Sequence, residues 1–349
     1  LQPSAPVGKN LIINGDMMID QRNAAASATS NTSVYMVDRF EFQMSSVTNV
    51  QTYQQVTDAP AGFNKSLKIT NNSTTQSTAA GVLCTPRQKI EGFNTAHLNW
   101  GTANAQTVTV SFWVKASVTG TYPVALTNDD FTRSFVTNYT VSVANTWEKK
   151  TVTITGDTSG TWTIDNSTGI NVMFSLDTGS TYQTTADSWQ AGNYRGTSSD
   201  VHFLANASAT WQITGVQLEA NTTATPFENL MYSQQLALCQ RYYYIPAQGV
   251  NSEINVGWYY NSTWMSSVID MPVPMRAKPT LTDTTGSSYY TIYRNNTADA
   301  LDSLTLENSN NNHTCVSIYN NSDVSGTGGQ AGILRTTNAL AKLELDSEL

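Results

Sequence analysis

The chain has few charges, few histidines and cysteines, and no long hydrophobic run. Charged residues make up 13% of its 349 positions, about half the usual share of roughly 25%. The 18 Lys and Arg against 26 Asp and Glu leave a net charge of −8. Phosphate neutralisation needs clustered cations, so nucleic acids and anionic membrane surfaces are poor partners on electrostatic grounds, and neither is expected. The most apolar stretch near the start, 11–13, is interrupted by Asn14 and Asp16. It is far shorter than a signal-peptide core of about 7–15 residues or a membrane span of about 20, so neither is expected. The three cysteines, Cys84, Cys239 and Cys315, are widely spaced and odd in number. That pattern fits neither a disulfide framework nor a Cys-x-x-Cys metal site, and predicts three reduced, mostly buried thiols.

In place of charge the chain carries neutral polar residues, as in 70–77 and 308–312, yet 39% of it is apolar and 10% aromatic. That content is too rich in core-forming side chains for a disordered chain. At roughly 150 residues per domain, the length suggests two domains.

Short alternating runs separated by Gly, Asn, Asp and Pro dominate 11–228 and predict antiparallel strands, at 66–70, 108–116, 122–126, 135–143, 149–155, 169–174, 201–204 and 211–218. In the second, Val108, Val110, Phe112 and Val114 alternate with Thr109, Ser111 and Trp113, the period of a pleated surface. Residues 233–244 break the pattern. Ser233 suits an N-cap, Leu236, Cys239 and Tyr243 follow helical spacing, and Pro246 lies just beyond, so a short connecting helix is expected. Further strands are expected at 254–260, 263–273, 289–293, 314–319 and 342–345, with 326–330 a short flexible loop. The fold class is therefore all-β: an N-terminal extension (1–10), an antiparallel jelly-roll sandwich (11–229), a connecting helix (230–246) and a smaller C-terminal β-sandwich (247–349).

The three histidines, His97, His202 and His313, lie far apart in sequence, and no nucleophile-elbow, zinc-protease or P-loop motif occurs. Nothing selects a catalytic pair among Asp129, Asp130, Asp165, Asp177, Asp187 and Asp200, which sit in turn-like contexts. No enzymatic activity is expected, polysaccharide depolymerisation being the one reaction class kept in view. No cofactor is required. One structural calcium site is considered, Asp16 beside the first strand approaching Glu219 at the end of the last strand of the first domain, because hard cations want several oxygen ligands. The alternative is an Asn-Gly-Asp turn and an exposed carboxylate.

Aromatic faces beside amides and carboxylates are the chemistry of sugar binding, and the chain has 8 Trp and 16 Tyr. Two segments concentrate them. Tyr182, Asp187, Trp189 and Tyr194 lie in 181–195, and Trp258, Tyr259 and Trp264 in 258–264. For any single ring, Trp113 and Trp211 included, the competing reading is burial in a core. Asn-x-Ser/Thr sequons such as Asn31 and Asn138 arise by chance in a chain this rich in Asn, Ser and Thr.

Several strings together carry a resemblance. Asn10-Leu-Ile-Ile-Asn-Gly-Asp-Met17, Asp20-Gln-Arg22 and Val37-Asp-Arg-Phe40 resemble the opening of the carbohydrate-binding-module-like jelly rolls of bacteriophage tail-fibre and other virion appendage proteins. Thr107-Val-Thr-Val-Ser-Phe-Trp-Val-Lys-Ala116 and Thr146-Trp-Glu-Lys-Lys150 are similar to the inner strands of that family. Its most distinctive stretch is matched by Ile213-Thr-Gly-Val-Gln-Leu-Glu-Ala220, Ala224-Thr-Pro-Phe-Glu228 and Leu236-Ala-Leu-Cys-Gln-Arg-Tyr-Tyr243. Pro272-Val-Pro-Met-Arg-Ala-Lys-Pro279 and Leu345-Asp-Ser-Glu-Leu349 follow as they commonly do there.

The resemblance implies a phage virion surface protein assembled in the host cytoplasm, in contact with other virion proteins. It implies an oligomer, with a homotrimer expected, that binds host cell-surface polysaccharide during adsorption. Two other readings stay open: a structural head or decoration fibre without ligand, and the glycan-binding module of a secreted polysaccharide-degrading enzyme.

Overall fold

The structure, a computed structural model, describes residues 8–72, 75–307 and 312–349. Most of the N-terminal extension expected at 1–10, residues 1–7, lies outside them. The chain divides into two compact units, Leu1–Gln235 with Leu349, and Leu236–Glu348. Among the described residues no helix is long and apolar enough to cross a membrane.

The first unit is an antiparallel jelly-roll sandwich. One sheet has six strands in the spatial order Ala28–Ser30, Gln51–Val56, Ser66–Asn71, Thr210–Glu219, Val108–Ala116 and Glu148–Ile154. The other runs Ser188–Ala191, Arg133–Val141, Gly120–Thr127, Thr168–Phe174, Leu83–Glu91, Glu41–Ser45 and Val34–Tyr35, with Asp177–Thr178 paired to Leu83–Glu91. The alternation seen in sequence is the alternation of faces. Val108, Val110, Phe112 and Val114 are fully buried between the sheets, where Phe112 meets Tyr139 and Phe174 edge-on at 5.0 Å each. Trp211 is fully buried in the same core, so the core reading of that ring is the observed one. Trp113 is on the opposite face of its strand and only half-buried.

Backbone approach fixes the Asn-Gly-Asp turn. A Cβ on Gly15 would lie 2.1 Å from the Val216 carbonyl oxygen, so no larger residue fits. The Asn14 side chain, buried and at φ 60°, accepts from Ile19 N and donates to the Ile19 and Asp38 carbonyls. Two of the strings that carry the resemblance, 10–17 and 213–220, are thus held against each other within one fold.

The structure departs from three expectations. Residues 201–204 form no strand: 201–202 are irregular and Phe203–Ala205 is a 3₁₀ turn, because Asp177 Oδ2 accepts the Leu204 N–H that a ladder would have used. The connecting helix is shorter than 230–246, spanning Tyr232–Gln240. Ser233 is not its N-cap. The Gln234 side chain reaches back to accept the Met231 N–H at 3.2 Å, while the Met231 carbonyl accepts from Gln234 and Gln235, half of a capping box. After Gln240 the tyrosine run pairs as a strand, Tyr243–Gln248, with Tyr243 opposite Asp346. Pro246, which has no N–H to donate, sits where that pairing shifts register between Tyr244 and Ala247.

The second unit is a smaller sandwich. A three-stranded sheet (Tyr243–Gln248, Lys342–Asp346, Thr280–Asp283) lies over a seven-stranded one. The order of the latter is Thr297–Leu301, Tyr290–Arg294, Ala331–Thr336, Glu253–Asn261, Trp264–Asp270, Cys315–Asn320 and Thr305–Leu306. Leu343 and Leu345 of the small sheet share a core with Tyr290, Ile292, Ile318 and Leu334 of the large one. The strand expected at 263–273 stops at Asp270. None of the three cysteines is in a disulfide; Cys84 and Cys239 are buried and Cys315 is half-buried.

Candidate functional site

The sequence offered two aromatic segments, and the structure treats them differently. In Glu253–Asn261 the side chains alternate across the seven-stranded sheet. Gly257 and Tyr259 face the core, whereas Val256, Trp258 and Tyr260 face outward, 55%, 40% and 76% exposed. Trp258 stands opposite Ser266, and Ser266 opposite Tyr319, so one row crosses three strands. Trp264 joins that row, lying flat on Tyr319 with ring centroids 4.7 Å apart and planes 12° from parallel. Its indole N–H donates to Ser266 Oγ at 3.0 Å. In the next row Val256 is opposite Ile333, and Ile333 opposite Tyr293. The Tyr293 hydroxyl donates to Asn296 Oδ1 at 2.7 Å, and the Arg335 guanidinium lies 5.0 Å from its ring. The outer face of this sheet is therefore an aromatic and aliphatic platform with an amide and a guanidinium at its margin.

Tyr259 does not belong to the platform, which corrects its place among the candidate binding residues. It is 1% exposed, and its hydroxyl donates to Asp299 Oδ2 at 2.8 Å. Burial, and then that bond, push its pKa up. A Cβ on Gly326 would fall 1.9 Å from the Tyr259 ring, so Gly326 is a packing requirement; Gly329 N also donates to the Tyr259 carbonyl. The sequence reading missed Tyr260, Tyr319 and Ile333. Tyr260 could have been found by carrying the period of two through the strand.

The 181–195 segment is mostly engaged in packing. Trp189 meets Trp100 and Trp162 edge-on at 5.4 and 5.5 Å, and those two meet at 4.7 Å. Its N–H donates to the Thr155 carbonyl at 2.7 Å, so the half-buried ring is held by packing and by its own hydrogen bond. Tyr194 packs against Ala125, Val136 and Met173 on the outer face of the larger sheet. Asp187 is exposed, at φ 66°, and accepts from Thr137 Oγ1 at 2.7 Å, which pins its turn to the sheet. Tyr182 is half-buried with the Arg195 guanidinium 5.6 Å from its ring. Arg195 is only 2% exposed; it also lies 4.5 Å from the Phe131 ring and bonds to Asn193 and Gln43. Burial, and then the nearby Arg87, lower its pKa to about 10. No sequence pattern signalled its burial, because Gln43 and Phe131 reach it from segments distant in sequence.

The calcium pair is not built. Glu219 is buried and both its carboxylate oxygens accept protein donors, Oε1 from Gln217 Nε2 and Thr225 N and Oε2 from Thr225 Oγ1, at 2.7–2.8 Å. Asp16 instead accepts from Gln235 Nε2 at 3.1 Å. Among the described residues no group of three or more His, Cys, Asp or Glu side chains could hold a metal ion.

His202 meets a carboxylate from a distant part of the chain. Its Nδ1 is 3.1 Å from both Asp177 Oδ1 and Thr78 Oγ1. A relay needs the carboxylate and the hydroxyl on different ring nitrogens, and Thr78 itself donates to Asp177 at 2.7 Å. This cluster ties a loop down; its geometry is not that of an activated nucleophile. Asp165 and Asp200 likewise accept from neighbouring N–H or hydroxyl groups, of Ser167 and Thr197.

No protein-family model matches the chain. No curated protein matches it either. Similar solved structures include the enzymatically active domain of tailspike protein 4 of bacteriophage CBA120, at 11% identity and a TM-score of 0.31, covering 61% of this chain and 22% of that one. A family 11 carbohydrate-binding module of Clostridium thermocellum in complex with a mixed-linked tetrasaccharide is similar at 13% identity and a TM-score of 0.27, over 56% of this chain and 100% of that one. A xylan-binding domain from Paenibacillus barcinonensis is similar at 9% identity and a TM-score of 0.26, over 58% and 99%. By its own geometry the chain is an antiparallel β-sandwich protein of two units.

Proposed function

We propose that this chain is a non-enzymatic glycan-binding protein of a phage virion surface, which uses the outer sheet face of its second unit to engage host polysaccharide. The observation that carries the glycan part is the platform: Trp258 and Tyr260 exposed beside the flat Trp264–Tyr319 stack. Exposed rings on a rigid sheet offer the apolar face of a pyranose a surface already in place, so little side-chain entropy is lost on binding. The strings at 10–40 and 213–243 support the virion part, with a homotrimer and other virion proteins as partners. Three linked copies of a weak site would gain about 10²–10⁴ in avidity.

The test is an array of bacterial surface polysaccharides, read with the native chain and with Trp258→Ala. Saturable binding that the substitution removes supports the reading. Light scattering on the same sample should give three times the chain mass. Binding should change little with salt, because stacking and neutral hydrogen bonds are not screened. Shortening of any polysaccharide during the assay would move the protein to the depolymerase class. Saturable binding by a monomer would favour a module of a secreted enzyme, and no binding at all would favour a structural fibre.

A further inference from the structure

The first unit holds a cleft of about 200 Å³, lined by Asp16, Phe63, Asn64, Asn229, Tyr232 and Gln235 among others. Its base is fixed. Gln235 is buried, its Oε1 accepting the Asn14 N–H at 3.3 Å and its Nε2 donating to Asp16 Oδ1 at 3.1 Å. Among the described residues no Lys, Arg or His lines the cleft, so the Asp16 carboxylate faces the space beside amide donors. Burial raises its pKa, against hydrogen bonds from Met18, its own backbone and Gln235. The walls are aromatic: Phe63, set edge-on to Phe227 at 5.1 Å, and Tyr232, 60% exposed. Asn64 and Asn229 are exposed amides at the rim. A side-chain atom on Gly62 would meet nothing within 4 Å, so the mouth is open there.

We propose that this cleft binds one hexopyranose ring, two neighbouring hydroxyls donating to Asp16, the Asn64 and Asn229 amides bonding further hydroxyls, and the apolar ring face lying against Phe63 or Tyr232. The inference rests on the glycan-binding reading above and adds to it a second site of a different kind, an end pocket for a single sugar. The volume is below the roughly 300–1,000 Å³ of pockets for drug-sized ligands, which suits one ring and not an oligosaccharide. Hydroxyls both donate and accept, as the rim amides do, whereas an ammonium only donates and would leave the amide N–H groups unmatched. A carboxylate with no cation beside it is an acceptor that hydroxyl donors satisfy.

The test titrates the full chain with the methyl glycosides of glucose, galactose and mannose, and with ethylammonium chloride, followed by ligand-observed NMR. At least one glycoside should saturate the protein, with affinity about tenfold weaker in Asp16→Asn, where a charged acceptor is lost, and also weakened in Tyr232→Ala. Because the platform also offers a surface to a pyranose face, the titration is repeated in the variant Trp258→Ala with Tyr260→Ala, where the loss caused by adding Asp16→Asn should be as large as in the native chain. Should Asp16→Asn fail to fold, Tyr232→Ala, which alters an exposed side chain, carries the test alone. If no glycoside saturates a chain that still binds polysaccharide, the pocket is refuted and the platform reading stands; if neither ligand binds, the glycan reading itself fails. Ethylammonium binding that depends on Asp16, with no glycoside bound, would overturn the proposal in favour of a cation site.

Discussion

Trp264 lies face to face with Tyr319 at 4.7 Å, its edge held by a hydrogen bond to Ser266. Each ring fixes the other, so the surface they present does not need to be ordered by a ligand. Trp264→Leu removes the stack and leaves Tyr319 free to reorient. The expected cost is about 0.5–1.5 kcal/mol of stability, read as a lower urea midpoint with an unchanged slope, together with weaker polysaccharide binding.

Tyr259 and Tyr260 are neighbours on opposite faces, which separates fold from function at a single hydroxyl. Tyr259→Phe leaves the buried Asp299 carboxylate with one donor fewer, Ser325 N–H remaining. A loss of about 1–3 kcal/mol is expected, with polysaccharide affinity unchanged. Tyr260→Ala should do the reverse, and denaturant titration beside a binding isotherm reads both.

Arg133 and Asp157 make two parallel bonds, Nε to Oδ2 and Nη2 to Oδ1, both 2.7 Å, with Asp157 at 2% exposure. The bonds to Asp157 hold the pKa of Arg133 above its ordinary value. The pair anchors the end of Arg133–Val141 beside the Trp189 cluster, the guanidinium lying 6.0 Å from that ring. Asp157→Ala should cost about 2–4 kcal/mol, less than a deeply buried pair because Arg133 keeps some water. Arg133→Lys should not restore it, since an ammonium cannot form both bonds in that geometry.

The β architecture was legible in sequence because alternation and burial coincide in strands such as Val108–Ala116, whose bounds were read as observed. What failed were elements whose pairing lies elsewhere. Tyr243 and Tyr244 continue a helical spacing locally, yet pair with Asp346 and Leu345 about a hundred residues away. Tyr259 lies between register shifts at Glu253/Asn255 and Tyr259/Asn261, yet the period of two holds from Val256 to Tyr260 and puts it on the core face with Gly257, so its burial was legible there and composition was the wrong guide. The Asp16 cleft draws on three distant segments, so no spacing could announce it. Trp258 and Trp264 were readable by composition alone, but the same composition gave Trp189, which packs edge-on against Trp100 and Trp162.

Asp16 titrates above its ordinary value because burial penalises its charge. At neutral pH that charge works against folding. Asp16→Asn should therefore raise the Tm at pH 7, the Asn Oδ1 still accepting from Gln235. As pH falls through the raised pKa toward the unfolded value, the native state takes up its proton first and the wild type gains relative stability. The Tm difference should shrink over that window and stay constant below it, which a pair of melting series from pH 7 to pH 3 would show.

The most direct test of the glycan-binding account is calorimetric titration of the best-binding bacterial surface polysaccharide into the native chain and into Trp258→Ala with Tyr260→Ala. The account predicts saturable binding that weakens at least about tenfold in the variant, ~1.4 kcal/mol, while both proteins unfold at the same denaturant midpoint. Equal affinity in the two proteins would contradict it.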